Sequence, residues 1–450
     1  MPSDRDLLEP SRLNFAHLDH LSADVVRGDL RCRIVHIYAE APDYVPRPDP
    51  HEGISCVDDV ARAAVVYLRH FESTGDIASQ AKAEGLLRFV MYMQTDAGLF
   101  FNFVLDNKLT INREHPRSRA DAFWWWSARA VWALGTAVRA LGESNPALAD
   151  ACARRVRRSY PPILALLECY PRTTTLSGRS VPLWLVGETA ADATSELLLG
   201  LVAMHQARPD ATLETMIARF GEGLAMMRYG SMNRFPYGAH ASSPSTWHGW
   251  GNAQTQALAE AGLLDSARHE AEQFYPRLLV DGWLRSLSFD DPDGMRKYER
   301  IAYAVRCVTV GLIRLFEATG QDRYATMAGL AASWFTGNNT GKAPLYDPDT
   351  GRGYDGQGDA GDVNYNAGAE STIEALYTIL EVTRHREALA WLDARDAPPV
   401  EENRAGEVLI HRIYTAEPRQ VGVVMNLTHE CVDVLQRHAL RSFVDGGALD

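Results

Sequence analysis

No two of the six cysteines, Cys32, Cys56, Cys152, Cys169, Cys307 and Cys431, stand in a CxxC spacing. Several fall in segments with helical patterning, which points to buried free thiols rather than a disulfide framework or a metal clip. Long apolar runs are also missing. Nothing approaches the roughly 20 residues of a membrane span, and the opening stretch MPSDRDLLEPSRLNF has no signal-peptide core. A cytoplasmic protein with no membrane partner is expected. Basic residues are in deficit, 45 Lys and Arg against 58 Asp and Glu, for a formal charge of −13. That balance disfavours nucleic acid, which rewards a basic face. The chain has no Gly-x-Ser-x-Gly elbow, Walker loop, HExxH or dinucleotide fingerprint. Serine-triad, nucleotide and zinc chemistry are disfavoured accordingly, and no cofactor is expected.

What is present is a repeat. Six segments are too uniformly apolar for surface helices: CVDDVARAAVVYL from Cys56, DAFWWWSARAVWALG from Asp121, ETAADATSELLLGLVAM from Glu188, GWGNAQTQALAEAG from Gly249, YERIAYAVRCVTVGLIRLFEATG from Tyr298 and NAGAESTIEALYTILEV from Asn366. Each is followed, after a short turn such as Ser73-Thr74-Gly75-Asp76, by a second helix that mixes Lys, Arg and Glu with an apolar stripe. These second helices are expected near 77–94, 147–169, 210–228, 265–280, 322–336 and 384–396. The pattern predicts an inner ring and a solvated outer ring of helices. From each outer helix to the next inner one the chain runs through a long loop, about 95–119, 170–187, 229–248, 281–297 and 337–365. Loops of that length gathered at one end of a scaffold are the usual seat of function. The same end carries the N-termini of the inner helices.

Outside the hairpins, RCRIVHIYAEAPDYV from Arg31 reads as a strand, and EVLIHRIYTAE and VGVVMNLTH as two more before a short helix near 430–441. These strands are free to pair with one another or with the leading strand. The resulting division is a lead-in over 1–54, a helical body over 55–396 and a C-terminal flap over 397–450.

CVDDVARA, GLFFNFV, SARAVWALG, GWGNAQTQALA and LYDPDTGRGYDG followed by VNYNAGAEST resemble the six-hairpin glycosidase superfamily. The likeness extends to bacterial members in which such helical domains are fused behind sugar transferases, and it covers about residues 30–395. It implies an all-α (α/α)6 toroid with small β additions at both ends, and carbohydrate chemistry on an oligosaccharide or polysaccharide substrate. Hydrolysis of a glycosidic bond, or action on a uronate-containing glycan, is the usual activity.

Glycosidic cleavage needs one carboxylic acid and one carboxylate on opposite sides of a sugar. The candidates at inner-helix starts are Asp58, Asp59, Asp121, Glu188 and Glu370. Each has a structural alternative: Asp58 and Asp59 together through an Asp59–Arg62 pair at i, i+3, Asp121 as a helix cap, Glu188 as a complement to the helix dipole, and Glu370 buried against a neighbour such as Arg62. Candidate sugar contacts are Trp124, Trp125, Trp247, His248, Trp250 and Asn252, together with Tyr354, Asp355, Asn364 and Asn366 of the last long loop. That loop is rich in oxygens, but DPDTGRGYDG lacks EF-hand spacing, and no metal is expected. A glycoside hydrolase is the leading expectation. A polysaccharide lyase or uronate epimerase would instead draw on Arg113, His115, Arg117, Arg119 and the Arg296–Arg300 cluster with Tyr298. A glycan-binding protein without catalysis is the third reading.

Overall fold

The computed structural model describes residues 12–445. Six long inner segments form Val57–Thr74, Trp125–Ala140, Ala191–Ala207, Gln254–Glu260, Ala302–Thr319 and Ala369–Thr383. Their hairpin partners are Ile77–Tyr92, Pro146–Arg158, Ala211–Met226, Leu264–Gln273, Asp322–Ala332 and Arg386–Leu389. Each partner packs on its own inner helix. The inner helices pack successively from first to sixth, and the sixth packs back on the first. This closure fixes which inner helices face one another across the middle: the third lies opposite the sixth.

Local chemistry sets the ends of these helices. Cys56 caps the first inner helix by accepting from the Asp59 N–H, and Gly75 ends it in the left-handed region at φ 73°. Asp76, Asn145 and Asp210 cap the first three outer helices. The second and third inner helices touch backbone to backbone. A Cβ at Gly135 would lie 2.1 Å from the Gly200 carbonyl oxygen, so only glycine permits this crossing.

Several boundaries differ from those read in the sequence. The second inner helix begins at Trp125 rather than Asp121, the third at Ala191 rather than Glu188, and the fourth at Gln254 rather than Gly249. The fifth begins at Ala302 and the sixth at Ala369. Preceding residues are drawn into extended pairings instead: Ser55–Cys56 with Phe103–Val104, and Arg300–Ile301 with Gly356–Gln357, which pairs in turn with Val363–Asn364. Isolated bridges join Leu185 to Glu188 and Val186 to Ala190. The second outer segment breaks after Arg158 and resumes as Tyr160–Leu166, where Pro161 and Pro162 are compatible only with a new helix start. Pro276 does the same between Leu264–Gln273 and Tyr275–Val280. The sixth outer helix is a single turn, because the chain leaves it to pair Arg395–Asp396 with Tyr414 and Thr415.

The leading strand Leu30–Val35 forms a hairpin with Ser22–Arg27, an element the sequence reading did not include. The C-terminal strands Val400–Arg404, Glu407–Ala416, Arg419–Asn426 and Cys431–Gln436 pair antiparallel among themselves. Cys431–Gln436 was expected as helix, and the terminal helix is Arg437–Val444. The sheet is seated on the fourth hairpin, where the Tyr414 hydroxyl donates to the Leu279 carbonyl at 2.6 Å. All six cysteines are free thiols, four of them buried, with Cys431 exposed. No helix among the described residues is long and apolar enough to cross a membrane.

Candidate functional site

A cavity of about 620 Å³ opens at the N-terminal ends of the inner helices. Its floor is built one to two turns into the ring, from polar side chains of the first, second, third, fifth and sixth inner helices. Arg62 of the first helix is 3% exposed. It donates to Asp59 at 2.7 Å, Glu374 at 2.7 Å and Glu370 at 3.2 Å, and lies over the Tyr303 ring at 4.7 Å. Arg129 of the second helix pairs with Asp58 at 2.8 Å and Glu196 at 2.7 Å. Tyr303 accepts from Arg129 at 2.9 Å and donates to Glu196 at 2.7 Å. Arg306 completes the layer by pairing with Glu374. Charges so deeply placed persist only because each has a partner.

Above this floor the walls are carboxylates and indoles. Glu370 keeps half of its side chain exposed while its inner face rests on Arg62. The next residue on the same helix, Ser371, donates its hydroxyl to Asp355 at 2.7 Å. Burial pushes the Asp355 carboxyl up to about 6, and the negative charges of Glu370 and Glu299 push in the same direction. Asp59 is also raised to about 6, by burial first, with Arg62 opposing. Trp125 and Trp250, each 36% exposed, line the cavity together with Asp192, Asn364 and Asn366. Asp192, in the first turn of the third inner helix, sits 3.4 Å from His248 Nε2, and the His248 ring stacks on Trp250 at 4.0 Å. The wall beside them is bare backbone at Gly251, whose φ of 74° keeps it open toward Tyr303, Arg129 and Asp192.

Of the residues anticipated from sequence, Asp58, Asp59, Glu370, Trp125, Trp250, Asp355, Asn364 and Asn366 line this cavity. Others do not. Asp121 is exposed outside the lining, precedes the helix it was expected to cap, and accepts from Trp124 Nε1 at 3.0 Å. Glu188 is an exposed turn residue with φ 72°. Trp247 is 1% exposed and packs on Phe274 in the core, and Trp124 leans on Trp126. Asn252 is buried, donating to the His240 carbonyl and Ser242. Tyr354 packs on Tyr365 outside the lining. His248 touches the cavity only through Asp192 and Trp250.

The sequence reading missed Arg129, Asp192, Glu196, Tyr303 and Glu374. A usable signal was present for Arg129, Glu196 and Glu374, charged residues within the first two turns of largely apolar inner helices. Of the basic residues proposed for uronate chemistry, only Arg117 lines the cavity, and it is bound to Glu52. Among the described residues no group of three or more His, Cys, Asp or Glu is arranged to hold a metal ion.

No protein-family model matches the chain, and no curated protein matches it. Solved structures do. Cellobiose 2-epimerase from Bacillus thermoamylovorans B4167 superimposes with a TM-score of 0.58 at 10% identity, over 83% of this chain and 96% of that one. A D-mannose isomerase gives 0.56 at 11% identity, over 84% and 96%. Cellobiose 2-epimerase from Spirochaeta thermophila DSM 6192 gives 0.54 at 13%, over 78% and 90%. At these identities the likeness is one of fold. The structures are members of the six-hairpin glycosidase-like (α/α)6 superfamily, the group the sequence motifs resemble.

Proposed function

We propose that the six hairpins form an (α/α)6 toroid whose mouth binds a sugar, and that the protein is a carbohydrate-active enzyme hydrolysing a glycosidic bond. The observation that carries this reading is Asp355, raised to about 6, in a cavity lined by further carboxylates and by two exposed indoles. A carboxyl that stays protonated near neutral pH can hand its proton to a leaving oxygen. Asp355 is assigned that role. Activation of water requires an ionised carboxylate on the other face of the sugar. Asp192, on the third inner helix and so across the ring from the sixth, is assigned as that base, with His248 Nε2 beside it at 3.4 Å. Glu370 and Asp58, paired with Arg62 and Arg129, bind sugar hydroxyls, and Trp125 and Trp250 supply stacking faces. Asp59 is assigned to the floor rather than to the chemistry.

A second reading follows from the His248–Asp192 contact. An imidazole poised by a carboxylate can remove a proton next to a sugar carbonyl. Two of the similar structures are cellobiose 2-epimerases and one is a D-mannose isomerase. Lyase or uronate chemistry draws less support, since Arg62, Arg117 and Arg129, the arginines lining the cavity, are each engaged by carboxylates. Product analysis separates these possibilities. Incubation with neutral oligosaccharides in D2O should yield new reducing ends with no deuterium at C2. Deuterium at C2 with an unchanged chain length would establish the epimerase or isomerase reading, and a 4,5-unsaturated uronate from acidic glycans would establish the lyase. Binding without any product would leave a lectin-like role.

A further inference from the structure

Behind the wall of the mouth lies a second cavity of about 380 Å³, between the end of the fourth hairpin, the loop over 338–342 and the C-terminal sheet. The two-residue strand Arg300–Ile301 is the partition. Ile301 lines the mouth while Arg300 lines the second cavity, as alternation along a strand dictates.

Arg300 is the unusual group here. Its Nη1 donates to Thr340 Oγ1 at 2.9 Å and its Nε to the Lys297 carbonyl at 3.3 Å, and the guanidinium lies over the Tyr298 ring at 4.4 Å. It has no carboxylate partner among the described residues. The buried arginines of the ring differ: Arg62 meets Asp59, Glu370 and Glu374, and Arg314 meets Glu260, Glu317 and Glu381. Burial, with the charge of Arg412 adding to it and Tyr298 and the more distant Asp396 opposing, holds Arg300 below the usual guanidinium range. Lys342 lines the same cavity without a carboxylate partner among the described residues. Arg412 lines it too, with one nitrogen on Asp396 and its Nε buried and unpartnered. Asp281, the other acid of the lining, is taken by Arg277 at 3.1 Å. Three cations therefore face a space whose acids are already spent.

We propose that this cavity binds the phosphoryl group of a small phosphorylated metabolite or of free inorganic phosphate. A guanidinium fork, an ammonium and the Thr340 hydroxyl are donors suited to phosphate oxygens, and a bound oxyanion supplies the countercharge that Arg300 lacks. The volume exceeds that of phosphate alone, and Trp283 gives one wall an apolar face for a carbon skeleton. The site stands on observations separate from those that identify the mouth, so either proposal can fail without the other.

The test is thermal unfolding of the full chain with inorganic phosphate or a hexose monophosphate, each against potassium chloride at matched ionic strength. Phosphate should raise the unfolding midpoint in a saturable way. Arg300→Gln and Lys342→Gln should abolish the rise while keeping the wild-type midpoint in chloride. Should Arg300→Gln fail to fold, the exposed Lys342 carries the comparison. A larger rise with the hexose monophosphate assigns the site to a metabolite, and an equal rise assigns it to the free ion. No rise above chloride, or an undiminished rise in a folded Lys342→Gln variant, would overturn the proposal.

Discussion

Ser371 donates its hydroxyl to Asp355 across 2.7 Å, tying the last long loop to the first turn of the sixth inner helix. Because Glu370 precedes Ser371 in that turn, this one hydrogen bond places two carboxyls in the same wall of the mouth in different surroundings. Glu370 leans on Arg62, and among the described residues no cation pairs with Asp355.

The first prediction follows from that difference. With Asp355 acting as the acid at about 6, activity should decline as pH rises through that value. Asp355→Asn should lower kcat by on the order of a hundredfold and remove the alkaline limb of the rate profile. The thermal midpoint should hold below about pH 4, where Asp355 is protonated folded and unfolded alike, and should be no lower at neutral pH, since no buried ion pair is broken. A rate profile measured beside a melting curve on each protein checks both parts.

Trp125 and Trp250 reach the cavity from the second inner helix and from the loop before the fourth. Replacing either by Ala should raise KM by about fivefold, the equivalent of a stacking contact of roughly 1 kcal/mol, and leave kcat within a few-fold. Trp247→Ala should behave in the opposite manner, costing about 3–5 kcal/mol of stability as a core truncation. Steady-state kinetics and urea unfolding distinguish the two outcomes.

The floor should prove structural. Arg62→Ala leaves Asp59 and Glu374 buried without their shared cation, and should cost about 3–5 kcal/mol in urea unfolding. Replacing Glu374 by Gln should also destabilise, because Arg62 and Arg306 both depend on it.

Stability should respond to pH from two directions. Asp59 and Asp355 rise from 3.8 to about 6 on folding, so their contribution is complete below about 3.8 and is lost as pH climbs through 6. Glu317 moves the other way. Burial would raise it, but Arg314 and the hydrogen bond from His385 outweigh that and bring it from 4.5 to about 2. Its contribution is present above 4.5 and is lost as pH falls through 2. Urea midpoints across pH 2–8 should therefore show a shallower decline between about 4 and 6 in Asp355→Asn, and a shallower acid-side loss in Glu317→Gln.

The helical ring was legible because inner helices such as Val57–Thr74 and Ala369–Thr383 bury nearly every side, and such burial writes a continuous apolar run. Their starts were less legible. Glu188 and Asp121 resemble helix-opening acids, yet local bridges and turns hold them outside the helices. Trp247 and Trp250 are alike in sequence, but one fills the core beside Phe274 and the other faces the mouth, a distinction made only by how the loop over 229–248 folds back. Asp355 was recognised as polar lining, while its raised proton affinity depends first on burial and then on the charges of Glu370 and Glu299, surroundings that close only in three dimensions.

The most direct measurement is a crystal structure of the protein soaked with a neutral oligosaccharide. The account predicts a sugar ring stacked on Trp125 or Trp250, with its glycosidic oxygen about 3 Å from Asp355 and with Asp192 on the opposite face. A sugar bound away from the mouth, or lying in it with no carboxyl within reach of the glycosidic oxygen, would contradict the account.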